Sequence, residues 1–199
     1  MRQYGRYATN AALVVLFALF AWANLDSWRR TGSPTGLGLT ILEAWTAGLF
    51  LVRREPLFVS GTASAWVAAP LGAFAMLFGR PDGGGIPHAV SEPLQLVGVA
   101  IALASLGALG RSFGLVAANR GIRTHGLYRL VRHPAYAGYF VAWFAYILES
   151  PSARNIVLLA LAVLAQLVRI REEERVLAND DEYRRYMTSV RRRLIPYLY

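Results

Sequence analysis

Long apolar runs separated by short polar breaks dominate the chain. The first spans about Asn10 to Trp28 through ALVVLFALFAWANL, and others follow at about Leu37–Val52, Thr62–Phe78 and Leu94–Leu109. A fifth, shorter run follows Pro134, from Ala135 to about Leu148, and a sixth extends from Ala153 to about Val168. Crossing a bilayer takes about 20 apolar residues, with a range near 17–25. Several runs fall short of that and need snorkelling flanks or a partly interfacial position. Only Glu149-Ser150-Pro151-Ser152 separates the last two, which reads as a tight helical hairpin. The pattern predicts an all-α fold: a polytopic transmembrane helical bundle of about six segments with a charged C-terminal region.

Composition strengthens this reading. Of 199 residues, 55% are hydrophobic and 17% charged, against about 25% charged in an average soluble domain. This excludes a disordered chain and argues against an ordinary soluble globule. The net charge is +9, and all 21 basic residues are Arg, which excludes lysine Schiff-base chemistry. A nucleic-acid reading would need a solvated basic patch; membrane topology explains the excess more simply. The chain has no Cys, so disulfides, thiolate catalysis and Cys-based metal sites are excluded. Neither nucleic acid nor a metal is expected as a partner.

The arginines also predict orientation. With six spans, seventeen Arg residues share one side, Arg2 and Arg6 among them, and only Arg29, Arg30, Arg80 and Arg154 fall on the other. The positive-inside rule then places both termini in the cytoplasm. Arg2 and Arg6 ahead of an apolar run also fit a signal peptide. The run is long for that, no small-x-small cleavage site is clear, and the segment reads as a retained helix. The chain divides into 1–109, four membrane segments, and 110–199, which carries most of the charge and chemistry. The 80–93 loop has a Gly run that does not join a strand to a helix, so it is no phosphate loop. Its His88 reads as a solvated loop residue.

Two polar clusters lie in the second half. In the first, Arg132 and His133 precede Pro134. A residue before Pro is pushed towards extended geometry, and Pro suits the first helical position. Both residues are therefore expected at the N-terminus of helix five, where free N–H groups and the helix dipole attract anions. Tyr136 shares a face with His133, and Gly126 and Gly138 permit close backbone approach. His125 reads as structural. The bland alternative for Arg-His-Pro is a helix cap with snorkelling cations.

The second cluster is Arg169-Ile-Arg-Glu-Glu-Glu-Arg175, on a helix expected to continue out of the membrane. Glu173 and Glu174 lie about 100° apart on such a helix, so one faces a pocket while the other pairs with Arg. The alternative is a solvated turn with i, i+4 ion pairs such as Arg169–Glu173. The tail DDEYRRYMTSVRRRLIPYLY reads as an amphipathic interfacial helix, with Tyr183, Tyr186, Met187 and Val190 on its apolar side.

A site with a cationic end and a carboxylate end suits a zwitterion, and S-adenosylmethionine is one. Arg132, His133 and the helix N-terminus would hold its carboxylate. Glu173 or Glu174 would accept from its ammonium or ribose hydroxyls, and Tyr residues would pack on the adenine or face the sulfonium.

The run Gly126–Gly138 (GLYRLVRHPAYAG), the hairpin, Glu173-Glu174-x-x-Leu177, Tyr183-x-x-Tyr186 and Arg193-Leu-Ile-Pro196 resemble the isoprenylcysteine carboxyl methyltransferase family, which belongs with the membrane phospholipid methyltransferases. The resemblance covers about 75 residues. It implies an S-adenosylmethionine-dependent methyltransferase with a cytoplasmic C-terminal cofactor-binding region. Arg132, His133, Tyr136, Gly138, Glu173, Glu174 and Tyr183 are the cofactor-binding positions this reading selects. The all-Arg composition fits a bacterial, high-GC source, hence a bacterial inner membrane; bacteria generally lack the prenylation pathway that supplies the eukaryotic members' substrate, so the resemblance leaves the acceptor open.

The expected reaction is in-line methyl transfer to a carboxylate (O-methylation) or a lipid amine (N-methylation) on a lipophilic acceptor, with membrane lipids as surroundings. Glu173 and Arg169 are the candidate catalytic residues, since the helix face that leaves the membrane looks into the cleft. The acceptor's tail would enter laterally near segments two, five and six. Glu43, inside segment two, is costly in a membrane and a functional candidate on that ground. Two other readings remain open: an NADPH-dependent sterol-type membrane reductase, and a non-catalytic membrane protein that binds a lipid or partner.

Overall fold

The computed structural model describes residues 2–195, with side chains from residue 7 onward. The Arg2 and Arg6 side chains and Pro196 of the C-terminal motif lie outside the described residues. Among the described residues, seven α-helices follow in order: α1 (Arg2–Thr31), α2 (Pro34–Val52), α3 (Ala63–Phe74), α4 (His88–Leu109), α5 (Pro134–Glu149), α6 (Ala153–Leu177) and α7 (Asp181–Ser189). A 3₁₀ turn, Ala75–Phe78, extends α3. The fold is all-α apart from one antiparallel ribbon, in which β1 (Phe58–Val59) pairs with β2 (Ala118–Asn119).

Local chemistry sets the helix starts. Pro34 and Pro134 occupy the first turns of α2 and α5, where a missing N–H costs nothing. The Thr62, Ser152 and Asp180 side chains cap α3, α6 and α7 by accepting from Ala65, Asn155 and Glu182 N–H groups, the preferred N-cap chemistry.

Helices α1 to α6 each run between the same two polar ends. At one end Arg53 bonds Asn10, the Arg54 N–H donates to the Arg111 carbonyl, and Thr62 donates to Glu172. At the other end Ser33 donates to Glu92, the Arg80 N–H to Asn155, and the Gly85 N–H to the Glu149 carbonyl. Among the described residues, four helices are long and apolar enough to cross a membrane: Tyr7–Thr31, Pro34–Val52, His88–Ser112 and Ala153–Leu177. The α3 stretch Ala63–Phe78 and α5 are shorter; sixteen residues at 1.5 Å each give α5 about 24 Å. Exposed Trp22, Leu51, Val67 and Leu164 stand on the outside, as expected where lipid tails are the solvent.

The helices pair as α1 with α2, α4 with α5, and α3 with α6. The main core joins Phe17, Leu42, Phe50, Val99, Ala102, Leu106 and Phe113. The α4–α5 crossing is a glycine contact. A Cβ on Gly98 would lie 2.6 Å from the Gly138 carbonyl, and one on Gly138 2.7 Å from the Ala102 nitrogen. Small residues allow this approach between membrane helices.

Three expectations are refined. Helix α4 begins at His88, six residues before the apolar run, because Ser91, Glu92 and Gln95 form its polar first turns. His88 is not a free loop residue: its Nδ1 lies 2.9 Å from Glu149 and its Nε2 3.4 Å from Glu92. The tail helix α7 turns Tyr183 and Tyr186 onto Tyr128, with Met187 and Val190 beside them. Its apolar face therefore covers protein.

Candidate active site

The Arg-rich end is assembled by the segment between α4 and α5. Gly110, Gly121 and Gly126 carry positive φ angles and turn it back over the helix ends. The Asn119 side chain accepts from the Gly121 N–H and donates to Asp180 at 3.0 Å, fixing α7 to this segment. Burial first, with the Glu174 carboxylate adding and Arg132 opposing, pushes the Tyr183 and Tyr186 hydroxyls well above their ordinary value. Both stay protonated, and the Tyr186 hydroxyl donates to the Tyr128 carbonyl at 2.6 Å.

Arg132 and His133 stand at the N-terminus of α5, as the sequence predicts. Their N–H groups donate to the carbonyls of Arg192 and Arg193 at 2.9 and 2.8 Å, so the tail is stitched to the loop. The buried Arg132 side chain donates through Nε to Glu174 at 2.7 Å and through Nη1 to the Val190 and Arg191 carbonyls. Glu174 also meets Arg193 at 2.8–2.9 Å and His133 Nε2 at 3.2 Å. Arg132 and Glu174 are thus each other's partners, and their network locks loop, helix and tail together.

Glu173 points elsewhere. It accepts from the Tyr136 hydroxyl and lies 3.7 Å from His133 Nδ1. The His133 and Tyr136 rings stack at 5.7 Å, and the Arg169 guanidinium lies 5.0 Å from the centre of the Tyr136 ring. Arg169 makes no ion pair among the described residues; it donates to Gln166 and to the Leu115 carbonyl, both at 3.0 Å. The Arg169–Glu173 pair of the solvated-turn alternative does not form among the described residues, and both side chains border one space. Glu172 caps the start of α3 instead, accepting from Thr62 and Ser64 and pairing with Arg175.

That space is a cavity of about 640 Å³, within the 300–1,000 Å³ typical of small-molecule sites. Glu173, His133, Tyr136, Arg132, Arg169 and Tyr183 border it at the Arg-rich end. It continues between α2, α4, α5 and α6 past Leu39, Leu42, Glu43, Tyr139 and Trp143. Gly138 sits at the α4 crossing rather than on the cavity wall.

Sequence reasoning counted Arg120 only towards topology. It is 8% exposed and faces the cavity. The absent side chain of Gly114 makes room for its guanidinium. Burial first, then the nearby Arg53, lowers its pKa to about 10, with Glu173 opposing; it remains a cation at neutral pH. The signal in the sequence was Gly-x5-Arg-Gly, an arginine between glycines in the loop already singled out.

Four buried side-chain polar atoms have no partner among the described residues: Arg120 Nε, Arg169 Nε, the Tyr183 hydroxyl and Thr35 Oγ1. All four residues border this one cavity. The large majority of buried polar groups are paired, so these four atoms leave open hydrogen-bonding capacity on the wall of one cavity.

Residues 87–180 match the phospholipid methyltransferase family model. Over that stretch, just under half of the chain, the protein is similar to the phospholipid methyltransferases, which are membrane methyltransferases. The matched segment holds α4, the connecting loop, α5 and α6, and with them Arg120, Arg132, His133, Tyr136, Arg169, Glu173 and Glu174. No curated protein matches the chain.

Proposed function

We propose that this is an integral membrane S-adenosylmethionine-dependent methyltransferase acting on a lipophilic acceptor at the Arg-rich end of the bundle. The observation that carries the reading is the grouping of unpartnered Arg120, Arg169 and Tyr183 donors with the Glu173 carboxylate around one cavity. Cations opposite a carboxylate match the carboxylate and ammonium of the cofactor.

Arg120 and Arg169 hold the cofactor's carboxylate, and Glu173 accepts from its ammonium or ribose hydroxyls. Tyr183 donates a further hydrogen bond. The stacked His133 and Tyr136 rings supply a flat face for the adenine. Bound there, the cofactor supplies an electrophilic methyl group on a sulfonium. Arg132 and Glu174 act by fixing the start of α5 against the tail, and Gly138 by letting α4 and α5 touch. Catalysis comes mainly from holding two substrates in line, within a cavity walled from water by apolar helices. The lipophilic tail enters between α2, α5 and α6, where the wall is apolar. Residues 110–199 form the methyl-transfer core and 1–109 the membrane scaffold. The Arg-rich end is cytoplasmic, with both termini there, in a bacterial inner membrane.

The test is transfer of radiolabelled methyl from S-adenosylmethionine into the lipid extract of membranes carrying the protein. Label in an extractable product that is lost in Glu173→Ala is expected. No label above membranes without the protein would overturn the reading.

A further inference from the structure

Glu43 is a carboxyl inside the apolar reach of the cavity. It lies midway along α2, on the face that presents Leu39, Leu42 and Thr46 to the cavity. Nine residues separate it from Val52, which puts it about 14 Å from the Arg-rich end of that helix. No hydrogen bond or ion pair involving Glu43 exists among the described residues. A carboxyl at membrane depth is expensive without a partner, and its open side is the cavity.

Its neighbours relate it to the proposed chemistry. The Tyr139 hydroxyl lies within electrostatic range of Arg169, Glu43 and Glu173 together. On α5, Tyr136, Tyr139 and Trp143 form a continuous aromatic wall from Glu173 inward, with centroid separations of 6.3 and 5.8 Å. Glu43 therefore stands on the inner, acceptor side of the cofactor residues. It also lies outside the matched segment 87–180, in the part of the chain that the family model does not cover.

We infer that Glu43 is the acceptor-side residue: its carboxylate accepts a hydrogen bond from an N–H or O–H nucleophile on the lipophilic acceptor and takes that proton as the methyl arrives. The nucleophile's lone pair forms the new bond to the methyl carbon. The carbon–sulfur bond breaks with its electron pair staying on sulfur, and the proton ends on a Glu43 oxygen. A carboxylate acceptor has no proton to give and would meet like charge. This rests on the methyltransferase reading, and the residue assignment is separate from it.

Two variants divide the roles. Glu43→Gln keeps a hydrogen-bond acceptor and loses the base; Glu43→Leu loses both. The probes are hexadecylamine, hexadecanol and palmitic acid, with binding followed by native mass spectrometry of the detergent-solubilised chain and turnover by release of S-adenosylhomocysteine. In wild type, the amine or alcohol binds at least tenfold tighter than the acid and is methylated. Glu43→Leu removes that preference. Glu43→Gln binds within about threefold of wild type and turns over at least 100-fold more slowly, with unchanged S-adenosylmethionine binding in both variants. No binding preference for the protic probes, full turnover by Glu43→Gln, or loss of cofactor binding in Glu43→Leu overturns the assignment. Failure of wild type to bind S-adenosylmethionine strikes the methyltransferase reading instead, and leaves the probe-binding comparison to judge Glu43.

Discussion

Replacing Glu174 by Ala should open the Arg-rich end without unfolding the bundle. In the structure one Glu174 oxygen takes Arg132 Nε at 2.7 Å and His133 Nε2 at 3.2 Å; the other takes Arg193 at 2.8–2.9 Å. The Arg132 side chain is 8% exposed and that of Arg193 34%. Arg193 regains water when its partner goes, so its loss is small. Arg132 is left as a buried charge with only backbone carbonyls, and breaking a buried pair in this way costs about 3–5 kcal/mol. At 1.4 kcal/mol per tenfold, local opening rises about 100- to 4,000-fold. The Arg132 and His133 amides report it, since they are tied to the Arg192 and Arg193 carbonyls. Hydrogen exchange followed by mass spectrometry should show that acceleration over residues 130–135, with exchange in α4 unchanged. Unaltered exchange at 130–135 in a folded Glu174→Ala protein would refute the lock.

Other tests follow from the packing and charge. Gly138→Val forces side-chain atoms against the backbone of α4, which cannot yield, and should lower the thermal aggregation temperature in detergent markedly. Gly107→Ala, with nothing within 4 Å of its added Cβ, should leave that temperature unchanged or raise it; equal effects would contradict the tight crossing. Because the chain has no Cys, Thr124→Cys and Asp82→Cys can each carry a lone thiol. A membrane-impermeant maleimide applied to spheroplasts should label only the second, and labelling of the first alone would invert the topology. Hydrogen bonds from the Asn119 side chain and the Glu182 N–H hold the Asp180 carboxyl below its ordinary 3.8. A lowered carboxyl value stabilises above that pH and is lost as pH falls through the folded value. Amide exchange in α7 should therefore speed up as pH falls below 3.8, after correction for intrinsic rates, and a flat corrected profile would remove Asp180 from the docking of α7.

The helices were legible because their apolar runs are long and their starts carry Pro, Thr, Ser or Asp in positions with a mechanism. The hairpin at Glu149–Ser152 and the extension of α6 through Glu174 were readable in the same way. The start of α4 was not, since His88, Ser91, Glu92 and Gln95 look like a loop until Ser33 and Glu149 are placed beside them. Within the site, spacing brought His133 and Tyr136 to one face and put a glutamate pair on the part of α6 that leaves the membrane. It did not divide the two adjacent glutamates, because that depends on where Arg193 returns from the tail. Arg120 was missed for the same reason: an arginine among twenty others becomes distinctive only when buried at 8% exposure with an unpaired nitrogen. Long-range closure of loop and tail decides these assignments, and local periodicity does not encode it.

Calorimetric titration of S-adenosylmethionine into the purified chain, in detergent and in lipid nanodiscs, reads cofactor binding without any acceptor. Saturable binding by wild type is expected, weakened at least tenfold in Arg120→Met and in Glu173→Ala while both remain folded. Absence of binding by folded wild type in both environments would contradict the methyltransferase reading.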